Sequence, residues 1–409
     1  MRRLRPPLPP VAVRSRIPRE QLGIGALRLG PREKQYLDQV IRSNRLSYGP
    51  FSQRFERAFA AAHDCRFAVF CNSGTSALHI ALAALKERHG WADGDEVLVP
   101  AVTFVATANI ALHNRMTPVF VDVDPLTFNI DPKLIEAKIT RRTRCIIPVH
   151  LLGLPCDMEP ILEIAKRRRL RVIEDSCETA LARYRGRKVG SFGDIGCFST
   201  YVAHYIVTGV GGLSTTNDPD LAVRLRSLMN HGRDSIYMKI DDDSGVSRSK
   251  LREIVSRRFS FVSLGHSFRC TEFEAALGLA QIERKEKIIA AHQANARFLL
   301  EGLCDLPQLQ LAVVPEDRDH MFMMFPIVLR RGRRQDLVNF LEERRIETRD
   351  LLPLVNQPVY RKLFGADLER RYPVARRLNR SAFYIGCHQE LSRRSLVYMV
   401  DTIRSFFGA

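Results

Sequence analysis

CRFAVFCNSGTSALHIALAALKERHG, residues 65–90, decides the fold. Its first eight residues are a short run of apolar, β-branched and aromatic side chains, which favours a strand. A turn of small polar residues, NSGTS, follows. SALHIALAALKERHG then repeats its apolar positions at helical spacing. The same order recurs downstream. DEVLVPAV (95–102) precedes a helical NIALHNR (109–115), and TPVFVDVD (117–124) precedes a helix expected from Pro132. RCIIPVH (144–150) precedes MEPILEIAKRRR (158–169), and LRVIEDS (170–176) closes the series. Strands alternating with helices predict an α/β fold with a largely parallel sheet. Such sheets bind ligands beyond the carboxyl ends of their strands, where NSGTS, PAVTF and EDSCE lie.

Upstream, MRRLRPPLPPVAVRSRIPRE (1–20) is basic and proline-rich and predicts an extended arm over residues 1–25. It has no apolar centre of the kind a secretory signal needs. Downstream, DIGCFST (194–200) and GGLSTTND (211–218) read as strands, with a helix beginning at Asp218. Residues 240–258 are polar and read as a loop or an inserted helix. Residues 271–303 carry one long helical pattern that leads toward a second domain. That domain mixes strands such as MFMMFPIVL (321–329) with helices such as QDLVNFLEERR (335–345). The expected division is a large domain over 26–285 and a smaller C-terminal α/β domain over 286–409.

The chain has 409 residues, 45% of them apolar, enough for a sizeable core. Its most apolar run, IIPVHLLGLP (146–155), is too short to cross a bilayer. The nine cysteines are scattered with no C-x-x-C pair, so neither a disulfide framework nor a zinc site is expected. A reduced, cytoplasmic setting follows from that usage. The formal charge of +18 raises nucleic-acid binding. The basic runs, however, are dispersed over 141–144, 166–171, 330–334 and 370–380, and none is interleaved with aromatics. They read as solvated helix faces, so neither a nucleic acid nor a membrane is an expected partner. An excess of cations does suit a small anionic substrate such as a nucleotide diphosphate.

Four places could carry chemistry. Ser73, Gly74, Thr75 and Ser76 open a helix whose first amides could bind a phosphate; ordinary N-capping explains the same residues equally well. Glu174 and Asp175 end an apolar strand, where a carboxylate could pair with a buried cation or simply cap a helix. Phe104, just past another strand end, could stack on a planar ring or pack in the core. His204 follows the strand DIGCFST and precedes the glycine-rich turn TGVGG, a good position for a base of near-neutral pKa.

Taken in order, NSGTSAL, VPAVTFVATANIAL, PVFVDVDPLTFNIDP, PVHLLGLPCDM, VIEDSCETA, GSFGDIGCFS, GVGGLSTTND and EFEAALGLAQIER resemble the DegT/DnrJ/EryC1/StrS sugar aminotransferases, which use pyridoxal phosphate. The resemblance spans roughly residues 20 to 405. It implies the fold type I aminotransferase architecture: a large domain with a mostly parallel seven-stranded sheet, plus a smaller C-terminal α/β domain. It also implies homodimers whose active sites lie between subunits. By position, Gly74, Thr75 and Ser199 would hold the cofactor phosphate. Phe104 would stack on the pyridine ring and Asp175 would pair with its nitrogen. Glu178 stands where a glutamine commonly meets the ring hydroxyl. The segment SLGHSFRCTE (263–272) matches one that reaches the neighbouring subunit's cofactor; Ser267 stands there in place of a usual asparagine, and Val210 replaces a frequent glutamate.

At position 204 the aminotransferases of this group have lysine. The chain resembles instead the histidine-containing branch, the nucleotide-sugar 3-dehydratases of the GDP-4-keto-6-deoxymannose 3-dehydratase type. YVAHYIVTGVGG (201–212), EDSCE, HGRD (231–234) and FYIGCHQELSRRSLVYMVDTI (383–403) agree with that branch. The resemblance implies removal of the C3 hydroxyl from a nucleotide-linked 4-keto-6-deoxy sugar, with His204 as base and L-glutamate renewing pyridoxamine phosphate. Arg233 and Arg269 are candidates for holding the diphosphate. One subtype uses an iron–sulfur cluster; residues 233–265 contain no cysteine, so no metal is expected. Two alternatives stay open: another dehydration or amino-sugar tailoring in antibiotic or glycan synthesis, and a cofactor-binding regulator without turnover.

Overall fold

A computed structural model describes residues 17–236, 238 and 242–409. Most of the expected N-terminal arm, residues 1–16, lies outside the described residues.

Helices α1 (Pro31–Ser43) and α2 (Pro50–Ala62) lead into strand β1 (Phe67–Cys71) and helix α3 (Gly74–His89). Then follow β2 (Glu96–Pro100), α4 (Ala106–His113), β3 (Thr117–Val121), β4 (Thr143–Ile146), α5 (Met158–Arg168) and β5 (Arg171–Asp175). A short hairpin, β6 (Arg183–Tyr184) and β7 (Arg187–Lys188), precedes β8 (Ile195–Ser199) and β9 (Gly212–Thr216). Seven of these strands form one sheet in the order β1-β9-β8-β5-β4-β2-β3. Neighbours from β8 through β3 are parallel, whereas β9 runs antiparallel to both β1 and β8. The exception has a local cause. Residues 200–211 return directly from β8 to β9 without a crossover helix, and a direct return yields an antiparallel pair. α3 buries Leu78, Ile80, Leu82 and Leu85 around its circumference, all at most 1% exposed, as a helix enclosed on several sides must.

Beyond β9 come α6 (Pro219–Met229), α7 (Arg248–Arg257), α8 (Glu272–Ile282) and α9 (Lys285–Leu303). The polar stretch 240–258 thus contains an inserted helix, α7. A second sheet is antiparallel, in the order β10 (Leu309–Leu311), β11 (Met324–Leu329), β13 (Ala382–Gly386), β12 (Thr348–Asp350). Its buried face, with Phe325, Ile327, Phe383 and Ile385, packs on Leu299 and Leu303 of α9 and on Leu337 of α10 (Arg334–Glu342).

Two expectations change. The helix expected from Pro132 is two short 3₁₀ turns, Pro132–Leu134 and Glu136–Lys138. Ile135 is the only buried side chain between 131 and 140, too little apolar surface to hold a longer helix against the sheet. The long pattern over 271–303 is two helices. Glu283, at the break, accepts bonds from Arg32 (3.1 Å) and the Tyr36 hydroxyl (2.7 Å), while Arg284 pairs with Glu33 (2.6 Å). The junction is thereby tied to α1.

His63 yields a stability prediction. Its ring is buried, with Nδ1–H donating to the Phe59 carbonyl (2.9 Å) and Nε2 accepting the Leu181 amide (3.1 Å). Burial pulls its pKa down to about 3. The unfolded chain takes up the proton near the ordinary histidine value, so the folded state is fully favoured above about pH 6.5 and loses about 1.4 kcal/mol per unit below it. Thermal midpoints measured against pH should fall below that value, and less steeply in His63→Gln.

Candidate active site

A cavity of about 870 Å³ opens at the carboxyl ends of the parallel strands. One wall is the start of α3. Ser73 caps it, its hydroxyl accepting the Ser76 amide (3.0 Å). The first-turn amides of Gly74 and Thr75 have no acceptor within the helix and point outward, as at any helix start. The approach is tight. A Cβ on Gly212 would lie 2.3 Å from the Ser73 carbonyl oxygen, and one on Gly74 would lie 2.7 Å from the Ser199 Cβ. Glycine at both positions lets the helix start sit directly against the ends of β8 and β9.

The opposite wall ends in Asp175, 3% exposed. Thr107 donates to its Oδ2 (2.8 Å) and the Cys177 amide to its Oδ1 (3.2 Å). Burial raises its pKa, and these bonds oppose the rise. Glu174, its neighbour, points to the other side of the strand. There it accepts from the amides of Gly190, Phe192 and Gly193 and meets His150 Nε2 at 3.1 Å. The period-two alternation of a strand therefore assigns the pair: Asp175 to the cavity, Glu174 to the scaffold. Glu178 also lines the cavity; it accepts the Leu152 amide (2.9 Å), and burial pushes its pKa up to about 7. Phe104 stands at the lip, 57% exposed, an unusual setting for a phenyl ring that packing alone would bury.

His204 lies on the 200–211 loop, whose base is stapled. The Thr200 amide donates to the Gly211 carbonyl (2.9 Å) and the Thr208 amide to that of Thr200 (2.8 Å). Gln281 of α8 holds Val207 through both its amide groups, at 2.9 and 2.8 Å. The His204 Nδ1 is 3.3 Å from the Tyr201 carbonyl, leaving Nε2 for the cavity. Desolvation lowers the pKa of the ring to about 4, so at physiological pH it is neutral, with a lone pair free to accept a proton.

Comparison with known proteins decides the family. A profile of the DegT/DnrJ/EryC1/StrS aminotransferase family matches residues 28–404. The chain belongs to this family. Among its relatives is a GDP-perosamine synthase of Caulobacter vibrioides, 38% identical over 85% of this chain and 89% of that protein. Another is a dTDP-4-dehydro-2,6-dideoxy-D-glucose 3-dehydratase of Saccharopolyspora spinosa, 35% identical over 88% of this chain and 81% of the relative. A solved structure of E. coli GDP-4-keto-6-deoxy-D-mannose-3-dehydratase with bound hydrated PLP superposes with a TM-score of 0.82. It is 26% identical and covers 94% of this chain and 99% of its own. The DegT/DnrJ/EryC1/StrS proteins depend on pyridoxal phosphate, and the seven-stranded sheet is that of fold type I.

The donor set fits that cofactor. A helix start for a phosphate, an exposed phenyl ring for a planar heterocycle and a buried carboxylate for a ring nitrogen all border one cavity. Gly74, Thr75, Phe104, Asp175, Glu178, Ser199 and His204 all line it. Ser267 does not line its own chain's cavity; its hydroxyl accepts from Arg269 (2.9 Å), which also meets His231 Nε2 (3.2 Å). Arg233, set over the rings of Phe259 and Phe261, is likewise outside it. Val210 is at the rim, 51% exposed. Sequence reasoning missed Ile24, Gly25, Arg349 and Tyr384 as lining residues, because the chain delivers them from its far ends. Gln281 did leave a signal: a polar residue on the apolar face of EFEAALGLAQI needs a buried partner.

Among the described residues, no helix is long and apolar enough to cross a membrane.

Proposed function

We propose that this chain is a pyridoxamine-phosphate-dependent 3-dehydratase acting on a nucleotide-linked 4-keto-6-deoxy sugar. The observation that carries the reading is the identity of the base: His204 faces the cavity, and no described residue lining it is a lysine. An imidazole cannot form the imine through which a lysine tethers the cofactor and returns an amino group. Retention then rests on noncovalent contacts, and the site is freed for elimination.

When bound, the cofactor supplies an amine for the sugar carbonyl and a ring that withdraws electrons. The amides of Gly74 and Thr75, with the Ser199 hydroxyl, hold its phosphate. Phe104 covers the ring face. Asp175, kept as an acceptor by Thr107, pairs with the ring nitrogen. His204 would serve as the base for a proton at the cofactor's aminomethyl carbon and as the acid for the departing C3 hydroxyl. L-glutamate supplies the amino group and the two electrons that the deoxygenation consumes. A homodimer completes the site, with Ser267 reaching the neighbouring subunit's cavity.

The similarity to GDP-perosamine synthase favours a second reading, amino transfer to the same class of sugar. That no described residue lining the cavity is a lysine weighs against it. One experiment tests the proposal: absorbance after mixing the protein with pyridoxal phosphate and L-glutamate, then ammonia after adding 4-keto-6-deoxy sugar nucleotides. Conversion to the pyridoxamine form followed by ammonia supports the reading. No spectral change and no ammonia would leave a binding protein without turnover.

Glu178 adds a pH signature. With a pKa near 7, its carboxyl carries a proton in acid and loses it as pH rises through that value. Only the protonated form can donate to a ring oxygen. Turnover should therefore decline above about pH 7, and Glu178→Gln, a donor at every pH, should flatten that decline.

A further inference from the structure

Residues 22–25 run through a narrow gap between the small sheet and the His204 loop. On one side they pair as an extra strand segment: the Leu22 amide donates to the Arg345 carbonyl (2.8 Å) and the Glu347 amide to that of Leu22 (3.0 Å). The Ile24 amide donates to Glu347 Oε2 (2.9 Å), while the other oxygen of that carboxylate takes Arg349. Gly386 of β13 allows the passage, since a Cβ there would lie 2.1 Å from the Gly23 carbonyl oxygen. On the other side the segment touches the loop itself. A Cβ on Gly25 would lie 2.6 Å from the Ala203 Cα and 2.9 Å from the Val202 carbonyl oxygen. Those are backbone atoms of the two residues before His204, and they cannot swing aside as a side chain would. Ile24 and Gly25 line the cavity, and Ile24 is buried.

We propose that residues 22–25 are a brace that positions His204, with Gly25 as its contact on the loop and Glu347 as its anchor in the small sheet. Both border the cavity, and the role proposed for them is one of position. They act by fixing the backbone at 202–203, from which the imidazole projects. The loop's base is stapled by Thr200, Thr208 and Gln281; its tip at 201–204 is held by the Tyr201 turn, by the pairing of Tyr201 with Gly209, by the packing of Ala203 against the core and, from the N-terminal side, by the brace. A displacement of about 1 Å at a catalytic group can cost about a hundredfold in rate. This inference rests on His204 being the base.

The test reads His204 directly, through the pH dependence of its carbethoxylation by diethyl pyrocarbonate, followed by peptide mass spectrometry of the full chain. In the wild type, a ring with a pKa near 4 should react at a rate nearly independent of pH from about 5 to 8. In Gly25→Ala and in Glu347→Ala the loop tip is released, and reactivity should instead rise with a midpoint toward about 6.5. Glu347→Gln keeps an acceptor for the Ile24 amide while losing the charge that pairs with Arg349, so it should behave as the wild type. In turnover, Gly25→Ala and Glu347→Ala should lose about tenfold to a hundredfold in kcat with KM and cofactor affinity little changed. Unaltered His204 reactivity in both alanine variants overturns the brace, as does a loss of cofactor affinity parallel to that of kcat. If Gly25→Ala does not fold, Glu347→Ala against Glu347→Gln decides. Absence of ammonia from the wild type would sink the dehydratase reading alone, since the reactivity profile needs no substrate.

Discussion

His204→Asn should lower ammonia release from a 4-keto-6-deoxy sugar nucleotide by about 10²- to 10⁴-fold, the usual worth of a positioned acid–base group. Asparagine nearly matches the imidazole in reach and can still meet the Tyr201 carbonyl, so the loop should keep its shape. What it lacks is a lone pair basic enough to take a proton from carbon. The cofactor contacts proposed above involve Gly74, Thr75, Ser199, Phe104 and Asp175, none of which the substitution alters. Equilibrium titration with pyridoxal phosphate should therefore give nearly the wild-type affinity. Ammonia release at the normal rate from His204→Asn would show that the base has been misassigned.

The second large effect is a change of chemistry. His204→Lys places a primary amine at a position that already faces the cavity. Desolvation there lowers an amine's pKa, as it lowers that of His204 itself, and so favours the nucleophilic neutral form. Pyridoxal phosphate should become covalently attached, and borohydride should make the attachment permanent, whereas the wild type treated alike should release all of its cofactor. Ammonia release should vanish. An amino sugar should accumulate in its place, the product expected when the amine can return an amino group to the sugar. Failure of borohydride to fix any cofactor would mean that residue 204 does not reach the cofactor's aldehyde carbon.

Much of this site was legible in the sequence because its residues sit at strand ends. The end of β5 placed Asp175 and the turn after β1 placed Gly74 and Thr75, while Ser199, at the end of β8, came from the family resemblance; in a parallel sheet those ends converge. Composition alone could not separate Phe104 at the lip from Phe120 in the core, since both follow apolar runs, yet they are 57% and 2% exposed. The helix expected from Pro132 failed because helical spacing is a statement about faces, and only Ile135 found a face to bury. Gly25 and Glu347 were invisible because Glu347 meets the Ile24 amide across 323 residues and Gly25 meets the backbone of residues 202–203, far along the chain. Neither feature leaves a local pattern. The residue on which the proposed choice between amino transfer and dehydration turns, His204, was by contrast readable from the first.

The most direct test of the account is the product itself. Purified protein should be incubated with pyridoxal phosphate, excess L-glutamate and a panel of 4-keto-6-deoxy sugar nucleotides, and the sugar analysed by mass spectrometry beside an ammonia assay. The account predicts a sugar lighter by one oxygen atom, with ammonia and 2-oxoglutarate formed in equal amounts. An amino sugar formed with no free ammonia would contradict it.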